Sequence, residues 1–468
     1  MSKKPDFLHK FNKIQWSAIA AIITAIATLS SVFISTNSDI FNQKPIARAG
    51  QTQEVFEGDL VHLSGASSED RDGKIESYRW KHIFDNDTDI VLSDRYSANP
   101  TFRAPNIPIY KELFFVLEVT DDRGESSKDT VRIKVNPHYN VVGSWGISGK
   151  NVGQFNSPQG IAVDPLFNNV YVVDKLNSRI QAFDADGHSL VPAEWGSKGN
   201  KSGQFNLPEN IAIDLNGEFI YIADSNNSRI QKFYPWGIFI SEWGSYCALH
   251  DNNYGCKIDN STGIIGPGQF RYPQGIAIDI EGHVYVADFS NDRIQKFDSN
   301  GNFIKTWGSR CNMKWINNSI GECKDLDGNG PMEKGDGQFL RPKGIAINHI
   351  TNEVYIVDKS NDRIQKFDSN GNFKLKWGSA GKDDGQFNLP EYIAINPKNN
   401  YVYVGDENNN RIQVFDQNGN FIENWGSSGD KLGKFQNPEG IGVDIRTGDI
   451  LVVEENNHRV QKFKNFIN

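Results

Sequence analysis

The stretch from residue 325 to residue 336 has the residue types and spacing that bind a hard cation. Oxygen-bearing side chains stand at its positions 1, 3, 5, 9 and 12: Asp325, Asp327, Asn329, Glu333 and Asp336. Calcium-binding loops use this spacing, because alternating carboxylates let one tight turn wrap the ion. Position 12 carries Asp instead of the longer, bidentate Glu. The sequence leaves two interpretations open, a calcium site and a solvated, turn-rich loop.

The four cysteines are a second group that could do chemistry. Cys247 and Cys256 lie in one expanded connection, and Cys311 and Cys323 lie in the next. Four cysteines allow three pairings, and we favour Cys247 with Cys256 and Cys311 with Cys323 because each pair closes its own loop. Each bond would add roughly 2–3 kcal/mol on the chain-entropy argument. Zinc binding is the alternative, although no C-x-x-C spacing is present.

Histidines do not fall where a catalytic metal would need them. Such a zinc takes about three protein ligands. Five histidines within residues 140–468 lie in predicted turns and connections: His188, His250, His283, His349 and His458. The sequence also lacks a G-x-S-x-G elbow and a Cys-His pair for nucleophilic catalysis. It therefore predicts no catalytic residues.

A motif that occurs six times must position all of these groups. It reads roughly G-x-F-x-x-P-x-G-I-A-V-D, then V-Y-V-A-D-x-x-N-x-R-I-Q-x-F, and it ends in Trp-Gly. Its G-x-F openings begin at Gly153, Gly203, Gly268, Gly337, Gly385 and Gly433. Each unit has short runs of branched and aromatic residues between Gly, Pro, Asn and Asp, which predict strands joined by turns. Four strands in about 50 residues predict a blade of a β-propeller.

The sixth unit ends without its fourth strand. Its third strand finishes at Phe463, and the sequence ends at Asn468. The segment 140–146 carries a Trp-Gly ending before the first unit begins. We expect this segment to pair with the strand from Arg459 to Phe463, because the ring would otherwise keep exposed strand edges.

The repeat resembles the NHL family, and the resemblance covers about 330 residues. It implies a six-bladed propeller, commonly a platform for binding protein, nucleic acid or small ligands and an enzyme only in some branches. Residues 45–136 resemble a PKD domain, an immunoglobulin-like β-sandwich of extracellular proteins. The resemblance rests on S-x-D-x-D-G at 68–73, Y-x-W at 78–80 and V-T-D at 119–121. The predicted fold is all-β: a PKD-like sandwich followed by an NHL-type propeller over residues 139–468.

The N-terminus predicts a membrane anchor. Residues 14–34 carry no charge, and the stretch is long enough for the roughly 20 residues that span a bilayer as a helix. Four lysines precede it, so residues 1–13 would be cytoplasmic and the chain after residue 35 extracellular. A cleavable signal peptide is the alternative, although its apolar core is usually about 7–15 residues long.

Charge argues against nucleic acid as a partner. The formal net charge is −9, and residues 140–468 hold more acidic than basic residues. Binding nucleic acid requires clustered Lys and Arg. Most basic residues here recur once per unit, as the Arg that follows an Asp or Glu by five residues, and we expect these pairs to lock a turn.

Two features break the symmetry of the repeat. The successive G-x-F spacings are 50, 65, 69, 48 and 48 residues, so two neighbouring connections carry insertions, and long loops on a rigid scaffold commonly carry function. The residue after the Pro of each unit also varies. Glu209, Lys343, Glu391 and Glu439 occupy this position. We expect them to be solvated at the surface, with contact to a ligand at the channel rim as the alternative.

These observations predict a membrane-anchored extracellular binding protein. Its ligand, a protein or a glycan, would meet the propeller mouth between the two stapled loops. Calcium is the only candidate cofactor. A channel-centred, metal-dependent lyase or hydrolase is the alternative function.

Overall fold

The computed structural model of the protein describes residues 42–83, 90–105, 107, 110–137, 139–260, 263–308 and 335–465. The predicted membrane span, the candidate calcium ligands from Asp325 to Glu333, and the cysteines Cys311 and Cys323 lie outside these residues. Within them, no helix combines the length and the apolar character needed to cross a bilayer.

Six strands form two sheets between Gln53 and Asn136. The larger sheet has the order β1 (Gln53–Phe56), β6 (Ser126–Asn136), β5 (Lys111–Asp121) and β3 (Ile75–Ile83), and the smaller sheet pairs β2 (Leu60–His62) with β4 (Thr101–Arg103). Every second residue of β5 is buried, as expected for a strand with one face on a core. The ring centroid of Phe102 in β4 lies 4.7 Å from that of Phe115 in β5. The two sheets thus face one another across shared aromatic side chains.

Six four-stranded sheets follow within the described residues. In each, the first strand pairs with the second, the second with the third and the third with the fourth. Sheet 1 contains β8 (Pro158–Val163), β9 (Val170–Asp174), β10 (Arg179–Phe183) and β11 (Ser189–Trp195). Sheet 2 contains β12 (Pro208–Ile213), β13 (Ile220–Asp224), β14 (Arg229–Phe233) and β15 (Phe239–Trp243). Sheet 3 contains β16 (Pro273–Ile278), β17 (Val284–Asp288), β18 (Arg293–Phe297) and β19 (Phe303–Trp307).

The other three sheets repeat this pattern. Sheet 4 contains β20 (Pro342–Asn348), β21 (Glu353–Asp358), β22 (Arg363–Phe367) and β23 (Phe373–Trp377). Sheet 5 contains β24 (Pro390–Asn396), β25 (Tyr401–Asp406), β26 (Arg411–Phe415) and β27 (Phe421–Trp425). Sheet 6 contains β28 (Pro438–Val443), β29 (Ile450–Glu454), β30 (Arg459–Asn465) and β7 (Tyr139–Trp145). The fourth strand of sheet 6 therefore comes from the segment before sheet 1, and Trp145 lies opposite Val460.

The six sheets form a closed ring because each packs on the next through an apolar cluster. Their second and third strands are buried along most of their length, as in the run V-Y-V-V-D of β9, which matches strands covered on both faces. One cluster joins sheet 6 to sheet 1 through Leu451 and Val453 against Val170 and Val172. The first strands of neighbouring sheets lie side by side around a central channel.

A turn lock recurs in every sheet. We define it as the acid that ends the second strand and the Arg that begins the third. In sheet 3, Asp288 Oδ2 lies 2.8 Å from Arg293 Nε, while Asp288 Oδ1 accepts a hydrogen bond from the backbone N–H of Arg271. Sheet 6 uses Glu454 and Arg459 in the same way. The repeated acids and arginines thus have the structural role that the sequence predicted.

Candidate ligand-binding site at the channel mouth

Two tiers of side chains surround the channel at the end that carries the turn locks. The floor consists of the residues that follow the first Pro of each sheet: Gln159, Glu209, Gln274, Lys343, Glu391 and Glu439. The rim consists of the residues that follow the second strand of each sheet: Lys175, Ser225, Phe289, Lys359, Glu407 and Glu455. Floor and rim share one end because the first two strands are antiparallel, with Pro158 opposite Asp174.

Five of the six floor residues are buried and Gln274 is half-buried, so the prediction of surface solvation is wrong for the four candidate residues. Glu391 has no exposed surface, and Glu439, Lys343 and Glu209 are 2%, 5% and 5% exposed. The reason is the close approach of neighbouring first strands. A Cβ on Gly275 would stand 1.8 Å from the carbonyl oxygen of Lys343, and such closeness encloses the side chains beside it.

Three lysines contact carboxylates that belong to sheets other than their own. Lys343 of sheet 4 pairs with Glu391 of sheet 5 and, at 3.2 Å, with Glu439 of sheet 6. Burial acts to lower the pKa of Lys343, but the Glu439 carboxylate and its neighbours raise it well above the ordinary value.

The other two lysines belong to the rim. Lys359 contacts Glu391 and lies 3.3 Å from Glu407, and Lys175 lies 2.8 Å from Glu209. Burial and the nearby Lys343 ammonium lower the pKa of Lys359.

The mouth nevertheless keeps an excess of carboxylates. Floor and rim hold five glutamates and three lysines. Glu455 accepts a hydrogen bond from the Ser157 hydroxyl and has no ion-pair partner among the described residues. Burial raises the pKa of the Glu439 carboxyl to about 7; Lys343 opposes this rise, and Glu407 and Glu455 add to it.

Tyr392 closes the channel below the floor. Four other sheets have Gly at this position and sheet 2 has Asn210. The Tyr392 hydroxyl donates a hydrogen bond of 3.2 Å to the backbone carbonyl of Glu209, which belongs to the sheet across the ring. Beyond Tyr392 lies a cavity of about 190 Å³ lined mainly by Ile, Val and Ala of the first strands. Tyr392 therefore lies between a charged mouth and an apolar channel.

The first insertion is fixed at the same end of the sheets. The predicted disulfide between Cys247 and Cys256 is confirmed. The loop also binds the turn after β17, because Asn291 Nδ2 donates to the carbonyl of Cys247 at 2.8 Å and His250 Nε2 lies 3.0 Å from Asp292 Oδ2. This stapled loop, residues 244–272, exposes four large side chains: Tyr246, Tyr254, Ile258 and Tyr272.

Asp336 is the one candidate calcium ligand that the structure describes. Its Oδ1 lies 2.7 Å from Lys376 Nζ in β23. Its counterpart Asp384 similarly accepts a hydrogen bond from Asn424 in β27. Asp336 thus has a partner within its own repeat, which favours the alternative that it belongs to the sheet.

Two groups of side chains among the described residues could present three ligand atoms to a metal ion. Glu391, Glu407 and Glu439 place carboxylate oxygens within 4.8 Å of one another, but lysines already contact all three. Asp279 and His283 form the second group with Glu281. His283 Nδ1 lies 3.0 Å from Asp279 Oδ2 in the turn between β16 and β17, where Asp279 also accepts a hydrogen bond from the backbone N–H of His283.

The rim and Tyr392 were not predicted from the sequence. The missed rim residues share no common chemistry, so aligning the repeats reveals only that this position varies. Tyr392 did leave a signal, since a bulky residue replaces the usual Gly.

A further departure from the repeat lies at the opposite end of sheet 2, where the rings of Tyr234 and Trp236 stack at 5.1 Å and remain exposed. Other sheets have an Asp-based turn here, such as that of Asp298.

Family models match both parts of the chain. A model of the PKD domain matches residues 49–135. The model described as NHL repeat matches residues 205–233, 270–297, 387–415 and 435–463. These four segments lie in sheets 2, 3, 5 and 6.

Curated relatives match only part of the chain. Protein brain tumor of Drosophila melanogaster is 29% identical over 127 residues, which are 27% of this chain and 10% of that protein. Peptidyl-glycine alpha-amidating monooxygenase A of Xenopus laevis is 32% identical over 157 residues, which are 30% of this chain and 15% of that protein. The match thus spans less than a sixth of either relative.

Solved structures show the fold. A Bacteroides thetaiotaomicron protein solved at 1.77 Å has a TM-score of 0.50 at 13% identity, over 88% of this chain and 95% of that one. An auxiliary nutrient binding protein of the same organism has a TM-score of 0.47 at 13% identity, over 90% and 98%. The chain thus contains a PKD domain at residues 49–135 and four matched NHL repeats.

Proposed function

We propose that the protein is a non-enzymatic binding protein with one six-bladed propeller, whose blades are sheets 1 to 6. The stapled loop and the channel mouth capture a protein or glycan ligand outside the cell. Residues 14–35 tether the chain to the membrane. The observation that carries this proposal is the group of exposed tyrosines on a loop that a disulfide and the sheet 3 turn hold in place.

The exposed tyrosines favour recognition on physical grounds. Tyr254 is 72% exposed, Tyr246 and Tyr272 are 40% and 43% exposed, and the Tyr246 and Tyr254 rings meet edge to face at 6.2 Å. Clustered exposed aromatic groups mark interaction sites, because their burial against a partner is favourable. A loop that is already ordered loses little conformational entropy when it binds.

The extracellular placement rests on chemistry rather than on a membrane segment in the structure. The Cys247–Cys256 disulfide is typical of an oxidising compartment. The PKD resemblance points the same way. We also propose that the second insertion binds calcium through the stretch 325–336.

A channel-centred lyase or hydrolase is the second candidate. The carboxylates of Glu391, Glu407 and Glu439 favour it, because their close oxygens could hold a metal. Lys343 and Lys359 weigh against it, since both ammonium groups already contact these oxygens. A bound metal would have to tolerate two cations beside it.

The proposal can be tested on the full chain in detergent or nanodiscs. Tyr246→Ala with Tyr254→Ala should weaken binding to whichever members of a panel of extracellular proteins and glycans the unchanged chain recognises. We expect at least a tenfold loss, since removing one central aromatic anchor commonly costs about 2 kcal/mol or more. Tyr234→Ala with Trp236→Ala is the matched control at the opposite end of the sheets. Equal losses in both double variants would argue against recognition by the stapled loop.

A further inference from the structure

The channel mouth holds more carboxylates than its own lysines neutralise, three of them buried and two, Glu407 and Glu455, half-buried. Three carboxylates are the least compensated. Glu439 has one lysine partner, which it shares with Glu391, and Glu209 pairs through Oε1 with Lys175. Glu455 has only the Ser157 hydroxyl. Buried carboxylates require a nearby cation or a proton, because the interior solvates an isolated charge poorly.

Apart from Glu391, whose oxygens contact lysines, three floor atoms lack the hydrogen-bond donor that burial demands, one of them Oε1 of the half-buried Gln274. Glu209 Oε2 and Gln159 Oε1 are inaccessible to solvent and have no partner among the described residues. Their residues are 5% and 1% exposed. Unsatisfied acceptors of this kind are rare in native structures. They indicate that a donor is missing at this point of the mouth.

Tyr392 lies beside two of these residues. Its hydroxyl donates a hydrogen bond to the backbone carbonyl of Glu209, and its neighbour Lys343 lies 3.2 Å from the Glu439 carboxylate. Burial raises the pKa of the Tyr392 hydroxyl well above its ordinary value, with Lys343 opposing the rise and Glu209, Glu439 and Glu455 adding to it. Lys343 Nζ already lies 5.0 Å from the centre of the Tyr392 ring, so a cation is accommodated beside this aromatic group.

We propose that the mouth binds a primary ammonium group beside Glu209, with Glu439 and Glu455 as the other poorly compensated carboxylates of the same mouth. The group would be a lysine side chain or a free amino terminus of the partner. This inference rests on the proposed function and names the ligand chemistry of the same mouth. An ammonium group fits because it brings one positive charge and three N–H donors to a site of acceptors.

A divalent metal ion fits this place less well. Calcium takes about six to eight oxygen ligands at roughly 2.3–2.6 Å, and two of the nearby carboxylates already serve Lys343 and Lys359. Those two fixed ammonium groups would repel a doubly charged ion more strongly than a singly charged one. An anion is disfavoured by the carboxylate excess.

Proton release should accompany binding. Without a ligand, Glu439 takes up a proton as the pH falls through about 7. An ammonium group replaces that proton, so binding should be tighter at pH 8 than at pH 6. The groups that face Glu439 are Lys343, Lys359, Glu407 and Glu455. Of these, Glu455 lacks an ion-pair partner among the described residues.

The test is calorimetry on the full chain with small amide-capped probes. Nα-acetyl-lysine amide presents a side-chain ammonium, glycyl-glycine amide presents an amino terminus, and Nα,Nε-diacetyl-lysine amide is the uncharged match. Binding of either ammonium probe, with loss of binding by the diacetylated probe, supports the inference, and the first two probes distinguish the two sources. Equal heats from the charged and the uncharged probes would contradict the inference. Calcium that binds more tightly than the probes and displaces every one of them would contradict it as well.

Variants localise the site. Glu455→Gln should weaken the ammonium probe by about tenfold, the loss of roughly one charge-assisted hydrogen bond. Glu218→Gln, an exposed glutamate at the opposite end of sheet 2, should change affinity less than twofold. Glu455 has no lysine partner among the described residues, so Glu455→Gln should keep the melting temperature of the parent. Glu209→Gln is a second variant that tests the same site. Unchanged affinity in both refutes the ammonium site, whereas retained capture through the stapled loop leaves the proposed function standing.

Discussion

The turn locks and the channel mouth both place buried carboxylates beside cations at the same end of the sheets, yet their charge balance differs. Each turn lock matches one acid to one Arg within a single repeat, as in Asp288 with Arg293. The mouth gathers five glutamates and three lysines from five sheets. Acid–arginine pairs that balance in charge and recur in every sheet stabilise the fold. A group with an excess of carboxylates that occurs at one place is available for a ligand.

Breaking a turn lock should have the largest effect. Asp288→Ala leaves the buried guanidinium of Arg293 without its carboxylate and should lower the free energy of unfolding by about 3–5 kcal/mol, because an uncompensated buried charge is costly. Chemical denaturation measures this loss. Asp298→Ala is the control, since Asp298 is a half-exposed acid in a turn of the same sheet, and we expect a loss of about 1 kcal/mol. Similar losses in both variants would show that the lock has no special role.

Removing the shared cation of the mouth should have a smaller effect that depends on pH. Lys343→Met leaves Glu391 and Glu439 buried without this ammonium, and we expect a loss of about 2–4 kcal/mol at pH 8. The loss should shrink at pH 5, because Glu439, whose pKa burial raises to about 7, is then protonated and carries no uncompensated charge. Urea denaturation at both pH values measures it. An equal loss at pH 5 and pH 8 would indicate that packing, and not charge, makes Lys343 important.

The sequence was sufficient for the parts of the molecule that repeat. The strands, the turn locks and the Cys247–Cys256 bond follow from patterns within one unit or one loop, because their partners are close in sequence. The segment that pairs with β30 could be found by counting strands, since Trp145 repeats an ending that belongs to a fourth strand. Local patterns of this kind carry the same physical requirement in every repeat.

The contacts of the mouth could not be read from the sequence. Lys343 and Glu439 form an ion pair although they are 96 positions apart in the sequence, and only ring closure brings them together. The alignment of repeats identified four floor residues, but it favoured their solvation because it does not show that neighbouring first strands touch at Gly275 and Gly344. Tyr392 replaces the usual Gly of the repeat, but its partner, the Glu209 carbonyl, is 183 positions away, and only ring closure brings the two together.

The smallest expected effect separates the mouth from the turn locks by its response to pH. The folded state raises the pKa of Glu439 from 4.5 to about 7, so this carboxyl contributes stability that is fully present below pH 4.5 and is lost as the pH rises through 7. Between pH 6 and pH 8 the loss amounts to about 1 kcal/mol. Glu439→Gln removes the titration and should flatten this part of the stability curve.

The readout is the difference between parent and variant, measured by urea denaturation at pH 6 and pH 8, because it cancels the other groups that titrate in this range. Glu218→Gln should keep the slope of the parent, since that glutamate is exposed at the other end of its sheet. If Glu439→Gln also keeps the slope, then Glu439 stays ionised throughout this range. The mouth would then hold a fixed negative charge, and ammonium binding would take place without proton release.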